Sequence, residues 1–161
     1  MFELLVLRHG KSAWPPGVPD RERPLAERGQ RETARIGRYL REQALIPSLI
    51  LSSPALRARS TADICAAAAG LDPDQIEVHE LLYSGRVRDI LALIGKFEDQ
   101  DRIMIVGHNP TFDMLLEALC PHAFEDFRRD KILSTANLGV VQIDDGQAEL
   151  LDIVKPKRLP D

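Results

Sequence analysis

Apolar runs too short for helices alternate with longer stretches of mixed polarity along this chain. Leu4–Leu7, Leu49–Leu51, Ile76–Val78 and Ile103–Val106 read as short strands, the third weakly. Between and after them, apolar positions recur at helical spacing over Ala26–Gln43, Pro54–Ala69, Val87–Phe97 and Thr111–Leu119. Strands that alternate with helices predict a mainly parallel sheet covered on both faces, a three-layer α/β/α sandwich. The pattern changes after Leu119: Leu138–Ile143, the turn Asp144-Asp145-Gly146 and Glu149–Val154 predict a closing hairpin. Pro15-Pro16-Gly17-Val18-Pro19-Asp20 is too rich in proline for helix or central strand and predicts a loop. The tail Lys155–Asp161 is expected to run over the surface.

The length of 161 residues fits a single domain, 1–161, and a core that needs no staples. With 44% apolar and 29% charged residues the composition is that of an ordinary globular protein. A net charge of -4 gives no reason to expect nucleic acid or an anionic membrane as partner. No apolar stretch is long enough to cross a bilayer, and the opening Met1-Phe2-Glu3 enters the first strand with no leader-like segment. Cys65 and Cys120 have neither pair spacing nor a neighbouring histidine, which reads as two reduced structural thiols of a cytoplasmic protein.

Chemistry gathers where strands end. Arg8-His9-Gly10 follows the first strand, Ser52-Ser53-Pro54 the second, and Gly107-His108-Asn109-Pro110 the fourth. Ligands of open α/β sheets bind at those carboxyl ends. Gly10 is expected to let the backbone turn sharply and approach a ligand. Ser53-Pro54 and Asn109-Pro110 each place a capping residue before a proline at the expected first helical position, a device that aims free N–H groups at an anion. A neutral His9 nitrogen can attack phosphorus, Arg8 and Arg57 offer guanidinium forks to phosphate oxygens, and His108 can donate to one of them. Such a set would carry a phosphoryl group covalently with no metal and no organic cofactor.

Single residues support blander readings. An isolated Arg-His-Gly is more often a capped strand end, and a lone His108 more often a backbone-bonded histidine. Spacing alone does not choose between Arg57 and Arg59. Ser12 and Thr111 are candidate phosphate contacts and equally ordinary cap or turn residues, and Asn109 reads first as a cap and second as a phosphate contact. His79 and His122 show no partner pattern. Arg28, Arg31, Arg35 and Arg38 form a basic stripe on the first helix, read first as a solvated face laced with Glu27, Glu32 and Glu42, and second as a docking surface for an acidic phosphoprotein.

Leu7-Arg8-His9-Gly10, Arg23-Pro24-Leu25 with Arg28-Gly29, Ser52-Ser53-Pro54 with Arg57-Ala58 and Thr61-Ala62, and Gly107-His108-Asn109-Pro110 together resemble the histidine phosphatase superfamily, the phosphoglycerate mutase-like group. Lys11-Ser12-Ala13-Trp14 and His108-Asn109-Pro110-Thr111 are most similar to the compact SixA-type phosphohistidine phosphatases. The resemblance implies the phosphoglycerate mutase-like fold with a minimal cap, His9 as the phosphorylated nucleophile, and Arg8, Arg57 and His108 around the phosphate. Glu80 stands roughly where many relatives carry a general acid, and splits between that role and a strand-end salt bridge. The frequent asparagine downstream of Arg-His-Gly is missing, since Trp14-Pro15-Pro16 fills that stretch. The leading expectation is a phosphohistidine phosphatase acting on a phosphorylated protein as a monomer. The alternatives are a phosphatase of small phosphomonoesters and a non-catalytic phosphate-reading module.

Overall fold

The structure, a computed structural model, describes residues 1–125 and 131–161. Six strands form one mixed sheet: β1 (Phe2–Arg8), β2 (Leu49–Ser52), β3 (Ile76–Val78), β4 (Arg102–Gly107), β5 (Leu138–Asp144) and β6 (Gln147–Val154). Their order across the sheet is β3-β2-β4-β1-β5-β6. Pairing is parallel from β3 through β2 and β4 to β1, then antiparallel from β1 to β5 and from β5 to β6. The four strands expected to be parallel are so, and the expected hairpin supplies the antiparallel edge. Its turn residues Asp145 and Gly146 have φ of 51 and 77, the pair of positive angles that a two-residue hairpin needs.

The central strands are apolar over Leu4–Leu7 and Ile103–Val106 because both of their faces are covered there. Leu4 and Val6 of β1 join Ile103 and Ile105 of β4 in one core, beneath α4 (Val87–Gly95) and α5 (Thr111–Leu119). Leu5, Leu7, Met104 and Val106 point the other way, into a second core under α1 (Glu27–Glu42) and α2 (Leu56–Ala69). Cys120 belongs to the first core and Cys65 to the second, so the sheet separates two free thiols. Burial pushes the Cys65 thiol up to about 12, which keeps it unreactive.

Two local expectations need correction. Gly10 makes no left-handed turn. A Cβ there would lie 2.9 Å from both the Gly29 carbonyl and Thr33 Oγ1, so the missing side chain lets α1 approach the end of β1. Neither proline opens its helix: α2 starts two residues after Pro54, and Pro110, joined to Asn109 by a cis peptide, precedes the first residue of α5. The capping groups still act, with Ser53 Oγ accepting from Ala55 N (3.2 Å) and Asn109 Oδ1 from Asp113 N (3.1 Å). The tail runs over the surface as expected, with Pro156 alone buried. A short helix that periodicity did not predict, α3 (Leu81–Ser84), follows β3.

Candidate active site

Register brings the two histidines together. Arg8 of β1 lies opposite Gly107 of β4, so the next residues, His9 and His108, emerge side by side with ring centroids 5.1 Å apart. Ser52 of β2 pairs with Val106, which sets Ser53 beside His108; Ser53 Oγ and His108 Nε2 are 2.8 Å apart. Arg57, the second residue of α2, is buried and reaches to 3.4 Å from His108 Nδ1, whereas Arg59 is exposed. Thr61 Oγ1 ties this helix to the strand end by accepting from Gly10 N (3.0 Å) and donating to the Arg57 carbonyl (2.7 Å). An open pocket of about 550 Å³ results, lined by Arg8, His9, Ser12, Arg57, His108 and Asn109, and also by Lys11, Trp14, Asp20, Arg23, Tyr83 and Thr135.

His9 is only 8% exposed, and its Nδ1 sits 2.7 Å from the Gly10 carbonyl, which can only accept. The proton therefore resides on Nδ1 and Nε2 keeps its lone pair. Burial, reinforced by the charges of Arg57, Arg8 and Arg23 and opposed by the Gly10 bond, drops the His9 pKa to about 4. Burial, with His9 and Arg57, drops His108 to about 3. Both rings are neutral at pH 7. Arg57 Nη2 is a donor, so His108 Nδ1 accepts there, and its Nε2–H donates to Ser53.

The cations are held by backbone carbonyls at the pocket wall. Arg8 Nη1 donates to the Leu133 carbonyl (3.0 Å), and Asn109 Nδ2 donates to the same oxygen (2.9 Å). Arg8 Nε and Arg57 Nε are buried donors with no partner among the described residues, a shortfall that an anionic ligand's oxygens can remove. Ser12 lines the pocket but its hydroxyl is engaged by Arg23. Asn109 spends both ends of its amide on the loop and α5, and Thr111 does not line the pocket. Glu80 is brought to the surface rather than into the pocket. It pairs with Arg21, whose hydrogen bond holds its carboxyl below the usual range, and both side chains are about half exposed. Of the basic stripe, Arg28 pairs with Glu32 and Arg35 with Asp161. His79 and His122 face Glu77 and Glu125, away from the pocket.

Sequence reasoning missed three lining residues that matter. Asp20 takes hydrogen bonds from Arg57 Nη2 (3.1 Å), Arg23 Nη1 (3.1 Å) and the Tyr83 hydroxyl (2.7 Å). Arg23 stacks on the exposed Trp14 ring at 3.2 Å from its centroid. Asp20 closes the proline-rich loop expected near a pocket mouth, and Arg23 lies in a segment already singled out. Tyr83 carried no signal, because it depends on the short helix α3.

Residues 4–83 match the sequence model of the histidine phosphatase superfamily (branch 1). An uncharacterized protein of Mycobacterium tuberculosis is 36% identical over 110 residues, or 68% of this chain and 66%, just under two thirds, of that relative. The crystal structure of a protein assigned as the phosphohistidine phosphatase SixA of Agrobacterium tumefaciens superposes with a TM-score of 0.82 at 31% identity, over 96% of this chain and 99% of that one. The protein histidine phosphatase SixA complexed with tungstate shares the fold at a TM-score of 0.84 and 24% identity, over 97% and 98% of the two chains. With paired histidines at the ends of β1 and β4, arginines from β1 and α2 beside them, and a near full-length relative of this identity, the chain belongs to the histidine phosphatase superfamily.

Proposed function

We propose that this protein is a phosphohistidine phosphatase that removes the phosphoryl group from a histidine of another protein, through a phospho-His9 intermediate. The observation that carries the reading is the state of the pocket's carboxyl groups. Release of an alkoxide from phosphorus calls for a proton donor near neutral pH. Glu80 is paired with Arg21 outside the pocket, and Asp20, the one carboxylate among the described lining residues, is held ionised at about 2 by Tyr83, Arg57 and Arg23. A protonated imidazole leaves phosphorus without such a donor, so this arrangement suits an N–P bond better than an O–P bond.

In the first half-reaction His9 Nε2 attacks phosphorus while its Nδ1–H stays on the Gly10 carbonyl, which steadies the ring as it gains positive charge. Arg8 and Arg57 bind the equatorial oxygens, where charge accumulates. His108 can donate to a phosphate oxygen if its proton moves to Nδ1, and Ser53, whose hydroxyl can either donate or accept, can follow that change at Nε2. In the second half-reaction water displaces His9 and releases orthophosphate. The open pocket admits a residue presented on a protein surface, and the resemblance to SixA proteins supports the same class of substrate.

The test mixes the enzyme with a histidine-phosphorylated protein, quenches rapidly in alkali and looks for acid-labile phosphate on the enzyme. We expect a transient phosphoenzyme in the wild type and none in His9→Ala, with turnover reduced by at least about a thousandfold. Absence of a phosphoenzyme in the wild type, or full activity in His9→Ala, overturns the mechanism. Faster turnover of nucleotides or sugar phosphates than of phosphohistidine replaces the substrate assignment with the phosphomonoesterase reading.

A further inference from the structure

Asp20 is out of keeping with the rest of the pocket. Arg8, Lys11, Arg23 and Arg57 line it with positive charge, as a phosphoryl group requires, and a carboxylate beside that group repels it. Yet Asp20 is firmly built in. Oδ2 accepts from Tyr83 (2.7 Å) and Arg57 (3.1 Å), Oδ1 accepts from Arg23 (3.1 Å), and the Asp20 carbonyl accepts from Arg57 Nη1 (2.7 Å). An ionised carboxylate offers about four acceptor positions, so these three side-chain donors leave one on Oδ1 unused.

Its location explains what that position can do. The Asp20 side chain is 50% exposed whereas His9 is 8% exposed, so the nucleophile lies at the pocket floor and the carboxylate near its mouth. In-line transfer sets the leaving atom opposite the nucleophile, on the open side. A carboxylate there is unfavourable beside a leaving oxygen that gains negative charge. It is favourable beside a cation.

We infer that Asp20 selects the leaving group, accepting a hydrogen bond from the N–H on the far nitrogen of the substrate's phosphorylated imidazole ring. This inference rests on the phosphohistidine reading. The ring arrives protonated on that far nitrogen. His9 Nε2 forms the new N–P bond while the substrate's N–P bond breaks, and the released electron pair stays on the departing nitrogen. The ring leaves as neutral imidazole with its far proton in place, so the step needs no acid. A ring lacking that proton would have to leave as imidazolate, a far poorer leaving group. Asp20 thus favours the form of the substrate that reacts.

The groups facing Asp20 keep it ionised. They are Tyr83 from α3, Arg57 from α2 and Arg23 from the loop, with the Arg21 guanidinium 4.4 Å from the Tyr83 ring centroid and a neutral His108 beyond Arg57. The pH dependence that Asp20 creates therefore comes from the substrate ring.

The test compares kcat/KM for free N-phosphohistidine and for p-nitrophenyl phosphate in the wild type, Asp20→Asn and Asp20→Glu. It also follows the single-turnover rate of His9 phosphorylation by saturating N-phosphohistidine between about pH 5 and 9. In Asp20→Asn we expect the ratio of phosphohistidine to aryl phosphate efficiency to fall by about tenfold. The alkaline limb of the phosphorylation rate moves to lower pH, and Asp20→Glu recovers part of both changes. Equal losses for the two substrates with an unmoved alkaline limb mean that Asp20 merely props Arg57 and Arg23, and overturn the inference alone. A wild type that prefers p-nitrophenyl phosphate overturns the phosphohistidine reading first, and this inference with it.

Discussion

At the scale of single residues, the protonation of His9 decides the chemistry. Its Gly10 hydrogen bond favours the protonated ring, and burial among three arginines favours the neutral one; burial wins, and the pKa falls to about 4. An unfolded histidine titrates near about 6.5, so between these values the unfolded chain binds more protons than the folded one. Stability therefore rises with pH across that window and is lost as pH falls from about 6.5 toward about 4. His108, lowered to about 3, acts in the same direction. Urea unfolding at a series of pH values is expected to show this acid-side loss in the wild type and a smaller one in His9→Gln. An NMR titration of the His9 ring should give a midpoint near 4. A midpoint near 6.5 would show that the ring is not desolvated as described.

At the scale of elements, glycines set how closely the helices approach. A Cβ on Gly29 would lie 2.2 Å from the Lys11 carbonyl, and one on Gly37 would lie 2.5 Å from the Cys65 carbonyl and 2.6 Å from Ala68 Cβ. Here α1 packs backbone-close against the site loop on one side and against α2 on the other. Gly37→Ala is expected to destabilise the protein by about 1–3 kcal/mol in urea unfolding, because the two helices must move apart. Gly95, at the exposed end of α4, has nothing within 4 Å of its would-be Cβ. Gly95→Ala is expected to stabilise by about 0.4–1 kcal/mol. A similar response at the two sites would refute the close approach of α1 and α2.

At the scale of the whole molecule, the pocket exists only because the carboxyl ends of separate interior strands lie at the same end of the sheet. Arg8 and His9 come from β1, Arg57 from the helix after β2, and His108 from β4, all converging through the order β2-β4-β1. An anion that binds the assembled site stabilises the fold and not the unfolded chain. Orthovanadate at about a hundred times its Kd should raise Tm by roughly 5–10 °C. Arg57→Ala should lose most of that rise while keeping the fold. An equal rise in Arg57→Ala would show that the anion binds elsewhere.

Much of this was legible in order along the chain. The strands, the main helices and the final hairpin were marked by periodicity and by Asp145-Gly146, since burial on both faces or one writes itself into local polarity. Arg8, His9 and His108 were legible because they follow strand ends directly, and Arg57 was legible only through the resemblance, since spacing left Arg59 equally open. The helix expected from Pro54 starts two residues later, since a proline permits a first turn without fixing where hydrogen bonding begins, whereas the helix at Thr111 starts where periodicity placed it. The role of Gly10 was misread, because sequence cannot tell a glycine needed for a turn from one needed by a neighbouring helix. Asp20, Arg23 and Tyr83 meet across the pocket from a loop and a single helical turn, with spacings that follow no local period. A salt bridge was one of the two readings open for Glu80, but its partner Arg21 was invisible for that reason. The sequence by itself thus marked the main elements, through local hydrophobic patterning, and the four candidate phosphate-binding groups, through short motifs after the strands. Only tertiary structure decided which carboxylate reaches the pocket, because electrostatic partners are chosen by proximity in space.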